Sequence, residues 1–160
     1  MPCRLLSDSL PFNPLIPDER NINLTDSDIR LICKNLFDAF RGLLSWKWDD
    51  WVGTILAEFD ADNSAAVRAV LDKFLPISFD SANMKDAPAI VQALDKNLGG
   101  LRSGQLLFSS DPAKESFVFC AWWPWENGQT VSIRIAPFDK HLSEEEESQL
   151  VDQLKKMAEI

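Results

Sequence analysis

The residues of this chain whose types and spacing could do chemistry are Asp60-Ala61-Asp62-Asn63-Ser64, which follow the apolar run Thr54-Ile55-Leu56-Ala57-Glu58-Phe59. A pair of aspartates at the end of a strand can supply one nucleophile and one general acid/base for phosphoryl transfer. The same stretch offers hard oxygen ligands at the first, third and fifth positions of a calcium loop, from Asp60, Asp62 and Ser64. Its sixth position is Ala65, where such a loop needs glycine, and its twelfth is Leu71, where a bidentate glutamate belongs, so it is no EF-hand. A plainer reading is structural. Asp, Asn and Ser accept backbone N–H groups and cap the helix that follows.

An apolar run entering Asp-x-Asp resembles the opening of haloacid-dehalogenase-type phosphatases. The resemblance is confined to residues 54–64, and it implies a magnesium-dependent site in which Asp60 and Asp62 share the nucleophile and acid/base roles. No apolar strand ending in Gly-Asp follows downstream to complete that pattern. Elsewhere, His141 is the single histidine and has no cysteine beside it, so neither a zinc site nor a Cys–His pair is expected. Phosphate-binding loops, dinucleotide fingerprints and the Gly-x-Ser-x-Gly elbow do not occur. The expectation is a chain with no catalytic residue, metal or cofactor.

Composition bounds the alternatives. The 160 residues suit one domain, large enough to bury roughly 70% of the unfolded surface without a staple. Cys3, Cys33 and Cys120 are odd in number and far apart, which fits a reducing cytoplasm better than a disulfide framework. The start of the chain does not read as a signal peptide, and no apolar run is long enough for a membrane span. Net charge is −9 and is concentrated in two zones. Residues 49–62 carry Asp49, Asp50, Glu58, Asp60 and Asp62 with no base; residues 139–160 carry seven acids, Glu144 and Glu145 among them, against three lysines. That balance disfavours nucleic acid, which needs a basic stripe, and suits a basic protein partner or simple solubility.

The elements follow from periodicity. Residues 1–24 read as an extended arm, because four prolines forbid a continuous helix. From Thr25 or Asp26 as cap, Ile29, Ile32, Cys33, Leu36, Phe37, Phe40, Leu43 and Leu44 form a helical stripe. Helical spacing continues from Trp48 with Asp49 or Asp50 as cap, although Val52–Phe59 also suits a strand. Further helices are expected over 63–75, from Asp86 to a stop at Gly99-Gly100, and after the Ser143/Glu146 capping box. The strands are 104–110, then a hairpin over 115–137 bent at Asn127-Gly128 as a type I′ turn, with Ile77–Asp80 as an optional fourth. The predicted fold is thus α+β: residues 25–160 as one domain, a three-stranded antiparallel meander covered on one face by four or five helices.

The hairpin carries the functional expectation. Its register places Val118, Cys120, Trp122, Val131, Ile133 and Ile135 on the core face, and Phe117, Phe119, Trp123 and Trp125 opposite Thr130, Ser132 and Arg134 on the other. Six tryptophans and no tyrosine is an unusual balance. Core packing accounts for Trp48, Trp51 and Trp122, whereas Trp123 and Trp125 near the tip are candidate anchors, with Arg134 stacked beneath Trp123. The favoured reading is a non-catalytic cytoplasmic protein-binding domain, of inhibitor, immunity-protein or secretion-chaperone type. It would use the face of Phe117, Phe119, Trp123, Trp125 and Arg134 for contact and Asp49, Asp50, Asp60, Asp62, Glu144 and Glu145 for steering. The rivals are the phosphatase-like enzyme and a homodimer or larger homo-oligomer that buries the aromatic face against its own copy.

Overall fold

The computed structural model describes the backbone of residues 17–160 and the side chains from Asp28 onward. Most of the expected arm therefore lies outside the described residues, and from Pro17 the backbone is helical. Helix α1 runs Pro17–Phe40, starting ahead of Thr25 and Asp26, the expected caps. It buries Ile29, Cys33, Leu36, Phe37 and Phe40, the stripe that three-and-four spacing marks out.

Next come strands β1 (Lys47–Asp49) and β2 (Thr54–Asp60), which replace the helix expected from Trp48. The turn between them is the reason. Gly53 takes a φ of 75° and its N–H reaches the Asp49 carbonyl at 2.8 Å, while Asp49 Oδ1 accepts the Trp51 N–H at 3.0 Å. A side chain read as a helix cap closes a hairpin instead, with the same acceptor chemistry. Thr54, Ile55, Leu56 and Ala57 are then buried on both faces of the sheet, and a short apolar run of that kind satisfies helical spacing without being a helix.

The remaining elements are α2 (Ser64–Phe74), β3 (Ile77–Phe79), α3 (Ala89–Asn97), β4 (Leu106–Ser109), β5 (Ser116–Pro124), β6 (Thr130–Asp139) and α4 (Glu144–Met157). The α+β class holds, but the three-stranded meander is corrected to a six-stranded sheet, ordered β1-β2-β6-β5-β4-β3 and antiparallel throughout. β4, β5 and β6 do form a meander, and its outer strand β6 is not an edge, because β2 pairs with it from Ile55↔Ile135 to Asp60↔Thr130. The optional strand near Ile77 supplies the far edge, pairing with β4.

Within the β5–β6 hairpin the register is the expected one, with Phe119↔Ala136, Cys120↔Ile135, Trp122↔Ile133 and Trp123↔Ser132. The turn is not type I′. Trp125 donates its N–H to the Thr130 carbonyl at 2.8 Å and Gly128 donates to the Trp125 carbonyl at 3.1 Å, so residues 126–129 form the loop and Asn127 keeps a negative φ. Asn127 Oδ1 instead accepts the N–H groups of Gln129 and Thr130, at 2.8 and 3.1 Å. Widening the loop by one residue on each strand leaves the pairing unchanged, so every side chain keeps its face.

Helices pack on both faces of the sheet, not on one. The main core joins α1, α2 and α4 to Val118, Cys120, Trp122, Val131, Ile133 and Ile135. On the opposite face α3, preceded by Met84 and Ala87, covers Leu107, Phe117, Phe119 and Ala121 as a second core. Phe117 and Phe119 of the aromatic panel are thus buried inside the chain itself, each burial worth about 1.5–3 kcal/mol. α3 stops at Gly99 and Gly100, whose φ values are 100° and 82°; Gly100 donates to the Asp95 carbonyl at 2.9 Å. α4 opens with the expected capping box between Ser143 and Glu146. Among the described residues, no helix is long and apolar enough to cross a membrane.

Candidate functional site

The second core formed with α3 reaches Ala136 and Phe138 on β6, and beside it the face opens toward the β1–β2 turn. The opening is a cleft of about 840 Å³ bounded by the β1–β2 turn, the C-terminal end of α3 and the first turns of α4. Pro137 helps to define it. Val118, its partner on β5, directs its backbone carbonyl to Ser110 at 3.0 Å, which leaves the proline ring nitrogen facing the side where β2 has already ended. A residue without an N–H is tolerated there. β6 thus runs past its partner, and the Trp51 turn rises beside it.

The floor of the cleft carries a stacked ion pair. Arg134 Nε donates to Asp49 Oδ2 at 3.0 Å, and its guanidinium carbon lies 4.3 Å from the Trp123 ring centroid. Arg134 Nη1 also reaches Ser132 Oγ at 3.1 Å. The two charged side chains are only 17% and 13% exposed. A planar guanidinium can stack and ion-pair at once, which an ammonium cannot do as well. The expected stacking of Arg134 against Trp123 is therefore present, and it fixes one face of the indole internally.

The candidate contact residues are not equally placed. Phe117 and Phe119 are buried beneath α3, so they belong to the second core rather than to a free surface. Trp123 is half-buried at the border of that core, and Trp125 is 45% exposed. Trp122 and the half-buried Trp48 pack in or against the main core as expected, but Trp51 does not: at the tip of the β1–β2 turn it is 93% exposed. Thr54, beneath that turn, is 2% exposed, and its Oγ1 has no hydrogen-bond partner.

The acidic candidates divide between two ends of the sheet. Asp49 and Asp50 belong to the Trp51 turn, whereas Asp60 and Asp62 lie beside the hairpin tip, where Ala61 donates to the Gln129 carbonyl at 2.7 Å. The length of β2, about 20 Å at 3.3 Å per residue, separates them. What joins the two acidic zones is the cleft, since Asp49 and Glu147 both line it. Glu144 and Glu145 lie exposed in the first turn of α4. Asp60 Oδ1 accepts the Asp62 N–H at 2.9 Å, the capping role, and both aspartates are exposed. Among the described residues, no three His, Cys, Asp or Glu side chains gather as a metal site.

Cys33 and Cys120 are buried free thiols. Burial pushes the Cys33 thiol up to about 12 and raises Cys120 as well, so neither is a reactive nucleophile near neutral pH. His141 is exposed and contacts Glu115. Sequence reasoning missed Trp51, Thr54 and Glu147. The signal for the first two was Asp49-Asp50-Trp51-Val52-Gly53, which reads equally as an Asx turn closed by glycine. Compared with known proteins, the chain matches no family model, and no curated protein and no solved structure matches it.

Proposed function

We propose that the chain is a non-catalytic binding domain for a protein partner, acting in the cytosol in the manner of an inhibitor, an immunity protein or a secretion chaperone. The contact centres on Trp123, Trp125 and the cleft floored by Arg134, with Asp50, Glu144 and Glu145 steering a basic partner. One observation supports this reading above the others: an indole pinned by a half-buried ion pair borders an open, aromatic cleft. Preorganised tryptophan and arginine side chains ringed by polar groups are where protein interfaces concentrate binding energy. Acidic groups around them raise association rates for a basic surface.

The test is affinity capture from the native lysate with the wild-type chain and with Trp123→Ala plus Trp125→Ala as baits, alongside sedimentation of both. Proteins retained by the wild type and lost by the variant are expected, with both chains monomeric. Equal recovery by the two baits would remove this surface as the contact, and a wild-type dimer that the variant abolishes would transfer the role to self-association.

A further inference from the structure

We infer that the cleft receives an arginine side chain of the partner, held beside Trp51. This rests on the proposed reading that the partner is a protein, and it adds the chemistry that the site would recognise.

Three independent features select a cation. The first is aromatic. Trp51 projects into solvent at 93% exposure and Phe138 lines the same cleft, while Phe119 is buried and one face of Trp123 is already taken by Arg134. Indole faces attract guanidinium and ammonium groups, and the chain already uses that attraction internally, with Arg134 over Trp123 and Lys155 Nζ 4.2 Å from the Trp48 ring centroid.

The second feature is charge. Asp49 is neutralised by Arg134, which leaves Glu147 as the further charged side chain lining the cleft; among the described residues no ion partner lies within 4.0 Å of it. Asp50, next to Trp51, is exposed. Asn97, Leu98 and Gly99 place the C-terminal end of α3 on the cleft, and the negative end of a helix dipole favours a cation. The cleft's own cation, Arg134, is already paired with Asp49, and the positive end of α4 carries its own acids, Glu144 to Glu147.

The third feature is an unmet hydrogen bond. Ile55 points into the main core, so strand alternation turns Thr54, its neighbour and the cross-strand partner of Asp49, toward the cleft face. Thr54 lines the cleft with its hydroxyl buried and unpartnered. A guanidinium brings five N–H donors in a rigid plane, enough to serve a hydroxyl and a carboxylate together. Arginine satisfies all three features together; its neutral isostere citrulline keeps N–H donors for Thr54 but loses the charge that the indole and Glu147 select.

The experiment titrates the full chain against a fluorescein-labelled pentapeptide with one central arginine among leucines and alanines, and against the same peptide with citrulline in its place. Saturable binding of the arginine peptide is expected, with the citrulline peptide weaker by about tenfold or more. Trp51→Ala should weaken the arginine peptide by about tenfold, and Glu147→Gln by a smaller factor with a flatter salt dependence. Both changes alter exposed side chains, so a circular dichroism spectrum matching the wild type is expected of each. Equal binding of the two peptides, or no saturable binding of the arginine peptide to the wild type at millimolar concentration, would overturn the inference. Partner capture that still depends on Trp123 and Trp125 would then leave the protein-binding reading standing; loss of that dependence beside a peptide signal would do the reverse.

Discussion

Arg134 and Asp49, 85 residues apart in the chain, form the ion pair that ties β6 to the first hairpin, Nε to Oδ2 at 3.0 Å. Among the described residues it is the pair with least exposure on both sides, and the guanidinium is also stacked on Trp123. Removing one member leaves the other charge half-buried without its partner. Arg134→Ala or Asp49→Asn should each lower unfolding free energy by about 2 kcal/mol, the scale of a charged hydrogen bond. Urea denaturation of both variants and of the double variant measures the coupling. A double variant that loses the full sum of the two single effects would show that the residues act independently.

The second prediction concerns Cys33, whose folded thiol is raised to about 12 by burial. An unfolded thiol ionises near 8.5, so the folded state holds its proton while the unfolded state loses it. Stability from this group is therefore complete at neutral pH and declines as pH rises from about 8.5 toward 12, by at most about 1.4 kcal/mol per pH unit. Cys33→Ala should show a shallower decline above pH 9 in denaturation midpoints than the wild type. Identical slopes would place the thiol in water.

Helix α4 depends on the reciprocal cap between Ser143 and Glu146. Ser143→Ala should cost about 1 kcal/mol, whereas Ser143→Asp, which keeps an acceptor, should cost far less. Thermal melts of the two variants separate a cap from an indifferent surface serine.

Gly128 holds a φ of 69° in the hairpin loop with nothing within 4 Å of where a Cβ would lie. Gly128→Ala should therefore cost about 1–2 kcal/mol through backbone strain alone. Asn at the same position should recover part of that loss. An alanine variant as stable as the wild type would mean that the loop can close with a different turn.

The pattern of what was legible follows from which forces are local. The β5–β6 register was readable because alternation fixes faces and the loop could widen symmetrically about Asn127-Gly128 without shifting them. The α4 cap was readable because its partners are three residues apart. The Trp48–Phe59 stretch stayed open between helix and strand, with helix preferred, because an aspartate that can cap a helix can also close a turn, and only pairing with β6 decides between them. The cover on Phe117 and Phe119 was hidden for the same reason: α3 was visible as a helix, but its packing on the second face is a long-range fact. Trp51 was misplaced once its turn was taken as helix. The cleft combines β1, β6, α3 and α4, and no short window of sequence contains it.

Hydrogen exchange on the complex between this chain and the protein it retains from lysate tests the cleft most directly. Slowed exchange is predicted in the turn and strand over 50–56, and at the α3 stop over 97–100, with the β3 edge unchanged. Protection confined to β3 or to the exposed face of α2, with the Trp51 turn exchanging as in the free chain, would contradict the account.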